Sequence, residues 1–238
     1  ASSAGRSRFP NAMRDEPGVE VRLRTSPMYA PYIAVPPEGR VAPSTGRVSL
    51  LVAPGTYTVK LSVGGAEQTR QLEVRKDPNT AGTVAEVEAQ LRMLAALRID
   101  MNAGAGAVHR IESVRVQLAA LKQTVTDAEV TRAVTALEAR LVDLEMNLVD
   151  LRQTGNGQDG VRFGSKLLSK FNYLAGGLAG GDFKPTDSQV EVQAILKEQL
   201  RVHLAALESL LGSDLARLNT MLRAKNVPNV VGAPPPAR

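Results

Sequence analysis

Chemistry in this chain would have to be built from two histidines, one glycine-rich loop and a few carboxylates at heptad spacing. There is no cysteine, which removes disulfides, thiolate metal sites and a cysteine nucleophile together. His109 and His203 fall in helical stretches, where a di-iron carboxylate site would place Glu three residues before each histidine. Gly106 and Leu200 stand there instead, and His109-Arg110-Ile111-Glu112 has the reverse order. Both histidines are therefore expected to be helix-packing or solvated, with no metal.

The loop Asn156-Gly157-Gln158-Asp159-Gly160 resembles a calcium loop only in part. Asp159 is its one carboxylate and no bidentate Glu follows at the required distance. Gly160-Val161-Arg162-Phe163-Gly164-Ser165-Lys166 ends in Gly-Ser-Lys, the wrong order for a phosphate loop. Asp143 with Asp150 and Glu138 with Glu145 lie one heptad apart, on what should be the wet face of a helix, so a glycosidase pair is not assigned. No serine or threonine stands in a nucleophile motif with a base and an orienting acid. Catalytic, cofactor-binding and metal residues are thus none, and Asn156, Gln158, Asp159 and Arg162 form a candidate interaction loop. The alternative is a glycan-acting enzyme fragment using Asp159 and Arg162 at a sheet–bundle junction.

The elements that would carry these residues fall into two parts. Glu20 to Arg24 alternates apolar and charged residues, Arg47 to Val52 is a second strand candidate, and Thr56 to Val63 alternates over its whole length. Gly64-Gly65 then supplies a two-residue turn back into Gln68 to Val74. Pro27 to Pro43 reads as loop with at most a short strand near Ile33. After the linker Pro78 to Gly82, Thr83-Val84-Ala85-Glu86 matches a capping box and opens a helix with apolar residues spaced by threes and fours to Val125. Val130, Val134, Leu137, Leu141, Leu144, Leu148 and Leu151 mark a second helix joined to the first by a short connection, hence antiparallel to it. A shorter helix over Phe163 to Leu178 follows the glycine loop. Thr186-Asp187-Ser188-Gln189, a second capping box, opens the last helix, whose leucine stripe runs through Leu211 to Leu222. Gly104 and Gly106 inside the first helix each cost about 1 kcal/mol against alanine, and close helix approach is the simplest reason to keep them.

The expected fold is α+β and multidomain: a small, incomplete antiparallel β-sandwich-like module over 1–77, a linker over 78–82, and an antiparallel, up-down-up-down four-helix bundle over 83–225. An extended or disordered tail over 226–238 completes it. Residues 1–76 hold the whole net charge of +5, scattered over strands and loops, so no nucleic-acid partner is expected. No apolar run approaches the roughly 20 residues that span a bilayer, so no membrane insertion is expected either.

Three stretches together resemble a known family: Val21-Arg22-Leu23-Arg24-Thr25-Ser26-Pro27-Met28-Tyr29-Ala30-Pro31, Ala53-Pro54-Gly55-Thr56-Tyr57-Thr58-Val59-Lys60-Leu61 and Leu144-Glu145-Met146-Asn147-Leu148-Val149-Asp150-Leu151. They are similar to the C-terminal portion of secreted bacterial proteins with sortilin-like, BNR-repeat β-propellers, often catalogued as glycosyl-hydrolase-like. The resemblance implies an immunoglobulin-like module followed by a helical region, an extracytoplasmic (periplasmic or secreted) location, and a partner. That partner is a propeller-bearing chain or a missing N-terminal part of the same polypeptide. No catalytic motif lies in the matched stretches, and no 40–50-residue β repeat marks a propeller here. The implied role is a non-catalytic accessory or scaffold region mediating protein–protein association. A structural subunit of a homo-oligomer, its open sheet edge completed by a neighbour's strand, is a further alternative.

Overall fold

The computed structural model describes residues 17–232 and shows a mixed α+β protein dominated by helix. Its elements are β1 (Arg22–Leu23), β2 (Arg40–Val41), β3 (Gly55–Val63), β4 (Ala66–Val74), α1 (Val84–Thr124), α2 (Ala128–Leu148), α3 (Asp159–Arg162), α4 (Leu167–Leu178) and α5 (Asp187–Ser209). A π-helical turn over Leu210–Asp214 then leads into α6 (Leu215–Ala224). Expectations for residues 1–16 and 233–238 lie outside the described residues.

Helix starts follow local chemistry. The hydroxyls of Thr83 and Thr186 each accept the N–H three residues on, and Glu86 and Gln189 accept the cap N–H in return, so both capping boxes form. Asp127 caps α2 by accepting from the N–H groups of Glu129 and Val130. α1 is about 62 Å long at 1.5 Å per residue, and the other helices distribute themselves along it.

Their pairings decide the architecture. Lys122 meets Glu138 and Arg115 meets Glu145, so α2 runs antiparallel along the C-terminal half of α1. Gly104 abuts Leu168, and the Gln90 amide donates to the Leu178 carbonyl at 2.5 Å, so α4 runs antiparallel along the N-terminal half. α5 runs parallel to α1, with Lys197 near Asp100 and Arg110 paired with Glu208. α6 continues the same line beside α2, where Arg140 meets Asp214 and Lys225 meets Asp127. Any cross-section therefore holds three rods, the middle one assembled from α2 and α4 in tandem. This differs from the expected up-down-up-down set of four: the connection over 149–166 carries the chain onward to α4 without reversing its direction. The π turn also shifts the last stripe, burying Leu207, Leu210, Leu215, Leu218 and Leu222 and leaving Leu211 half-buried.

The strands form two separate antiparallel pairs, β1–β2 and β3–β4, rather than a sandwich-like module. Val21, Leu23, Ala42, Val48 and Leu50 join the same hydrophobic cluster as the helices, so residues 18–50 lie over the rods as a strap. The candidate strand at Arg47 to Val52 is irregular apart from a single bridge at Leu51, because Val48 and Leu50 turn onto the helical core. Ile33 lies in a turn, and the partner of β1 comes instead from Arg40–Val41. The described part of the tail is anchored: Val230 is buried, and it exchanges hydrogen bonds with the Asn219 amide at 2.8 and 2.9 Å.

Candidate functional site

Asn102, His109, Glu112 and Arg115 are spaced by seven, three and three, which sets them on one face of α1. The strap lies along that face, and its backbone is received by side chains as if by a neighbouring strand. The Val19 N–H donates to Asn102 Oδ1 at 2.8 Å, the Arg22 N–H to His109 Nε2 at 3.1 Å, and the Arg24 N–H to Glu112 Oε2. The Thr25 hydroxyl donates to Glu112 Oε1 at 2.8 Å. His109 is thus a neutral acceptor, and desolvation holds its pKa below the ordinary value despite the nearby Glu20 backbone and Glu112.

Beneath the strap, where α2 gives way to the connection towards α4, Arg115 donates to Glu112 at 2.6 Å and to Glu145 at 2.8 Å. Both carboxylates are fully buried. Glu145 is thereby removed from the wet face on which heptad spacing placed it, because Arg115 draws it inward against Glu112. Burial, and then the Glu112 carboxylate, push the Glu145 carboxyl well above the usual range. Arg40 closes the cluster from the strap, donating to the Thr25 carbonyl and, at 3.0 Å, to the Gln153 carbonyl of the α2–α3 connection. The Met28 N–H reaches the Leu151 carbonyl at 3.0 Å. Asp150, also expected on the wet face, is buried and gripped by Arg152, whereas Asp143 is exposed and Glu138 half-buried. The cluster has the composition of an acid–base site, but its two carboxylates are closed off from solvent; it pins the strap across the break in the middle rod.

In the candidate interaction loop the one carboxylate is engaged locally. Asp159 Oδ2 accepts from the Thr154 N–H at 2.6 Å, the Thr154 hydroxyl at 2.9 Å and the Gly155 N–H at 2.9 Å. Desolvation opposes its ionisation, and these hydrogen bonds outweigh that and lower its pKa. Its carboxylate is turned into its own loop, while Asn156, Gln158 and Arg162 are exposed around it. Arg152 rather than Arg162 stacks here, 4.5 Å from the Phe163 ring centre. Gly104 serves close helix approach, since a methyl group there would meet Leu168, whereas Gly106 faces open space. Among the described residues no three metal-ligating side chains cluster.

The β3–β4 ribbon is the feature that packing leaves unfinished. Gly64 and Gly65, at φ 56° and 85°, make the two-residue turn, and the strands pair from Val63–Ala66 back to Gly55–Val74. Alternation puts Tyr57, Val59, Leu61, Val63 and Leu72 on one face, with Gln68 and Arg70 opposite Leu61 and Val59, and Thr56, Thr58, Lys60, Ser62, Glu67 and Glu73 on the other. β3 and β4 contact only each other among the described elements. Val59, Leu61, Val63 and Leu72 are consequently 48%, 60%, 66% and 45% exposed on what should be an inward face. At the ribbon's root the Tyr57 hydroxyl donates to the Ala53 carbonyl at 2.7 Å, and a cleft of about 350 Å³ separates Pro54 and Val74 from Val87 and Leu91 of α1. A second, apolar groove of about 550 Å³ runs between α4 and α5, lined by Tyr173, Leu174, Val192 and Leu196.

The alternation of the ribbon is readable in sequence, but its isolation is not, because nothing local says that Val48 and Leu50 will pack on helices instead of beside it. The described residues form a helical rod with a strapped β segment and an exposed ribbon. Compared with models of known families, with curated proteins and with solved structures, the chain matches none.

Proposed function

We propose that this chain is a non-catalytic scaffold region that associates with another protein through its β3–β4 ribbon. One observation carries the reading: a ribbon of two nine-residue strands whose apolar residues are uncovered and whose strands touch no other described element. A two-stranded hairpin is at best marginally stable alone in water, and exposed strand edges are templates for pairing with another chain. Strand addition supplies what the ribbon lacks, with main-chain hydrogen bonds at the edge and side-chain contacts on the face. The helical region, an antiparallel bundle whose middle rod is shared by α2 and α4, holds the ribbon out from a stiff base.

The sequence resemblance to regions that follow β-propellers makes a propeller-bearing chain the partner to test, in an extracytoplasmic setting. Replacing residues 55–74 by a short glycine linker should leave helical circular dichroism and the unfolding transition of the rod intact while abolishing co-purification with that chain. Undiminished co-purification by the ribbonless variant sinks the proposal.

A further inference from the structure

The two edges of the ribbon are not equivalent. β4 carries Glu67, Arg70 and Glu73 among its nine residues, the kind of charge that blunts an edge, whereas β3 carries only Lys60 and no proline. Because the turn has two residues, Val63 and Ala66 form the first hydrogen-bonded pair, and the odd-numbered residues of β3 aim their N–H and C=O groups at β4. The even-numbered residues, from Thr56 to Ser62, therefore aim theirs outward along a free edge.

The geometry points to a second copy of this chain as the occupant of that edge, with β3 pairing antiparallel to its twin about a two-fold axis at Val59. This rests on the reading of the ribbon as an association element and names its partner. In that register Thr58 hydrogen-bonds with Lys60 of the second copy and Thr56 with Ser62, so every outward group of the even-numbered residues is used. Tyr57 lies opposite Leu61 of the second copy and Val59 opposite its own twin, so the apolar residues of the two β3 strands meet at the centre of a four-stranded sheet, flanked by Gln68 and Arg70 of each β4. No like charges stand directly opposite one another; the two Lys60 side chains are diagonal neighbours. Centring the pair on Lys60 would set two lysines opposite each other, and pairing β4 with its twin over its full length would oppose Arg70 to Arg70 and Glu67 to Glu73, arrangements that like-charge pairs destabilise. Charge thus selects the strand and rejects centring on Lys60, and the use of every outward group of Thr56, Thr58, Lys60 and Ser62 selects the register centred on Val59.

The chain has no cysteine, so a single introduced thiol reports one contact. In the proposed register the two copies of residue 59 form a non-hydrogen-bonded pair with Cα atoms about 4.5 Å apart, inside the roughly 4.4–6.8 Å that a disulfide spans. Val59→Cys should cross-link into a covalent dimer under mild oxidation of the full chain. Val63→Cys, whose twin would lie at the far end of the strand, and Gln68→Cys on β4 should not. Sedimentation equilibrium of the unmodified protein should show a reversible dimer, and Lys60→Pro, which removes an outward N–H, should weaken it roughly tenfold or more. A strict monomer at millimolar concentration, or cross-linking as efficient from residue 63 or 68 as from 59, overturns the inference. If the protein is such a monomer yet loses a propeller-bearing partner when the ribbon is removed, only the self-pairing falls and the association reading stands.

Discussion

Replacing Glu112 by alanine tests whether the strap is held by the buried ion cluster or merely lies over it. Glu112 accepts from the Arg24 N–H, from the Thr25 hydroxyl at 2.8 Å and from Arg115 at 2.6 Å, with no exposure to solvent. Hydrogen bonds to a charged group contribute about 1.5–3 kcal/mol each, but they share one carboxylate and do not add. The strap cannot lift to let water rescue the orphaned donors, because it also buries Val21, Leu23, Val48 and Leu50, each stabilising by about 1.5–3 kcal/mol. The loss should therefore be that of breaking a buried pair, about 3–5 kcal/mol. Glu145→Gln is the contrasting change. It imitates the protonated carboxyl that burial favours and keeps an acceptor for Arg115, so it should cost less than about 1 kcal/mol at neutral pH. Urea unfolding followed by circular dichroism, with the denaturant slope checked for constancy, measures both. A cost below about 1 kcal/mol for Glu112→Ala, or one as large for Glu145→Gln as for Glu112→Ala, refutes the account. The pH arm has a definite sign. A carboxyl whose folded pKa is raised above its ordinary 4.5 contributes stability that is complete below that value and lost as pH rises through the folded pKa. Glu145→Gln, which cannot ionise, should gain on the unmodified protein as pH rises from 5 to 9.

Three shorter predictions follow from the same geometry. His109 accepts the Arg22 N–H as a neutral ring, and its lowered pKa means that stability present above about 6.5 is lost as pH falls through the folded value; Glu20, Arg22, Arg24 and Glu112 are the groups around it. Hydrogen exchange at the Arg22 amide should accelerate in mild acid, and in His109→Leu it should be fast at every pH. Gly104→Ala should destabilise by about 1–3 kcal/mol by forcing Leu168 aside, while Gly106→Ala, with open space before it, should stabilise by about 0.5–1 kcal/mol in thermal unfolding. Asn219→Ala should free the chain end at Val230 from both of its hydrogen bonds and render the last described residues sensitive to protease, with little change in the rest of the transition.

Helix existence and both capping boxes were legible because they depend on chemistry within four residues. Thr83 with Glu86 and Thr186 with Gln189 specify a helix start wherever the helix later packs. The same locality explains what was illegible. Nothing within a few residues of Leu148 says that the next helix will continue along α1 instead of turning back, and that choice separates three rods from four. Heptad spacing likewise placed Glu145 in solvent, since periodicity registers distance along a helix and not the arginine that waits on another one. The strap escaped for a third reason: its contacts with α1 run from backbone N–H groups to Asn102, His109 and Glu112, and sequence shows acceptors of this kind only as ordinary helical polar residues. His109 illustrates the cost. Its spacing argued against a di-iron site but could not reveal the amide it receives.

The strap and the ribbon are consecutive in sequence and opposite in fate, and that opposition supports an association role. Residues 18–50 contain short, irregular strands, yet Val21, Leu23, Ala42, Val48 and Leu50 find the helical core, while Tyr29 and Tyr32 stay exposed. Residues 55–74 contain the longest and most regular strands, yet their apolar side chains find nothing. Had the ribbon simply lacked stabilising potential, its sequence would be poor in β-branched residues and in hairpin geometry; instead Thr, Val and Tyr alternate over β3 and a left-handed Gly-Gly turn fixes the register. Its root is also fixed, by Tyr57 on Ala53 at one strand and by Lys76 on the Thr80 carbonyl at 2.6 Å beyond the other. A hairpin with this much internal specification, anchored at its base and uncovered along its length, is what the proposed association through the ribbon requires.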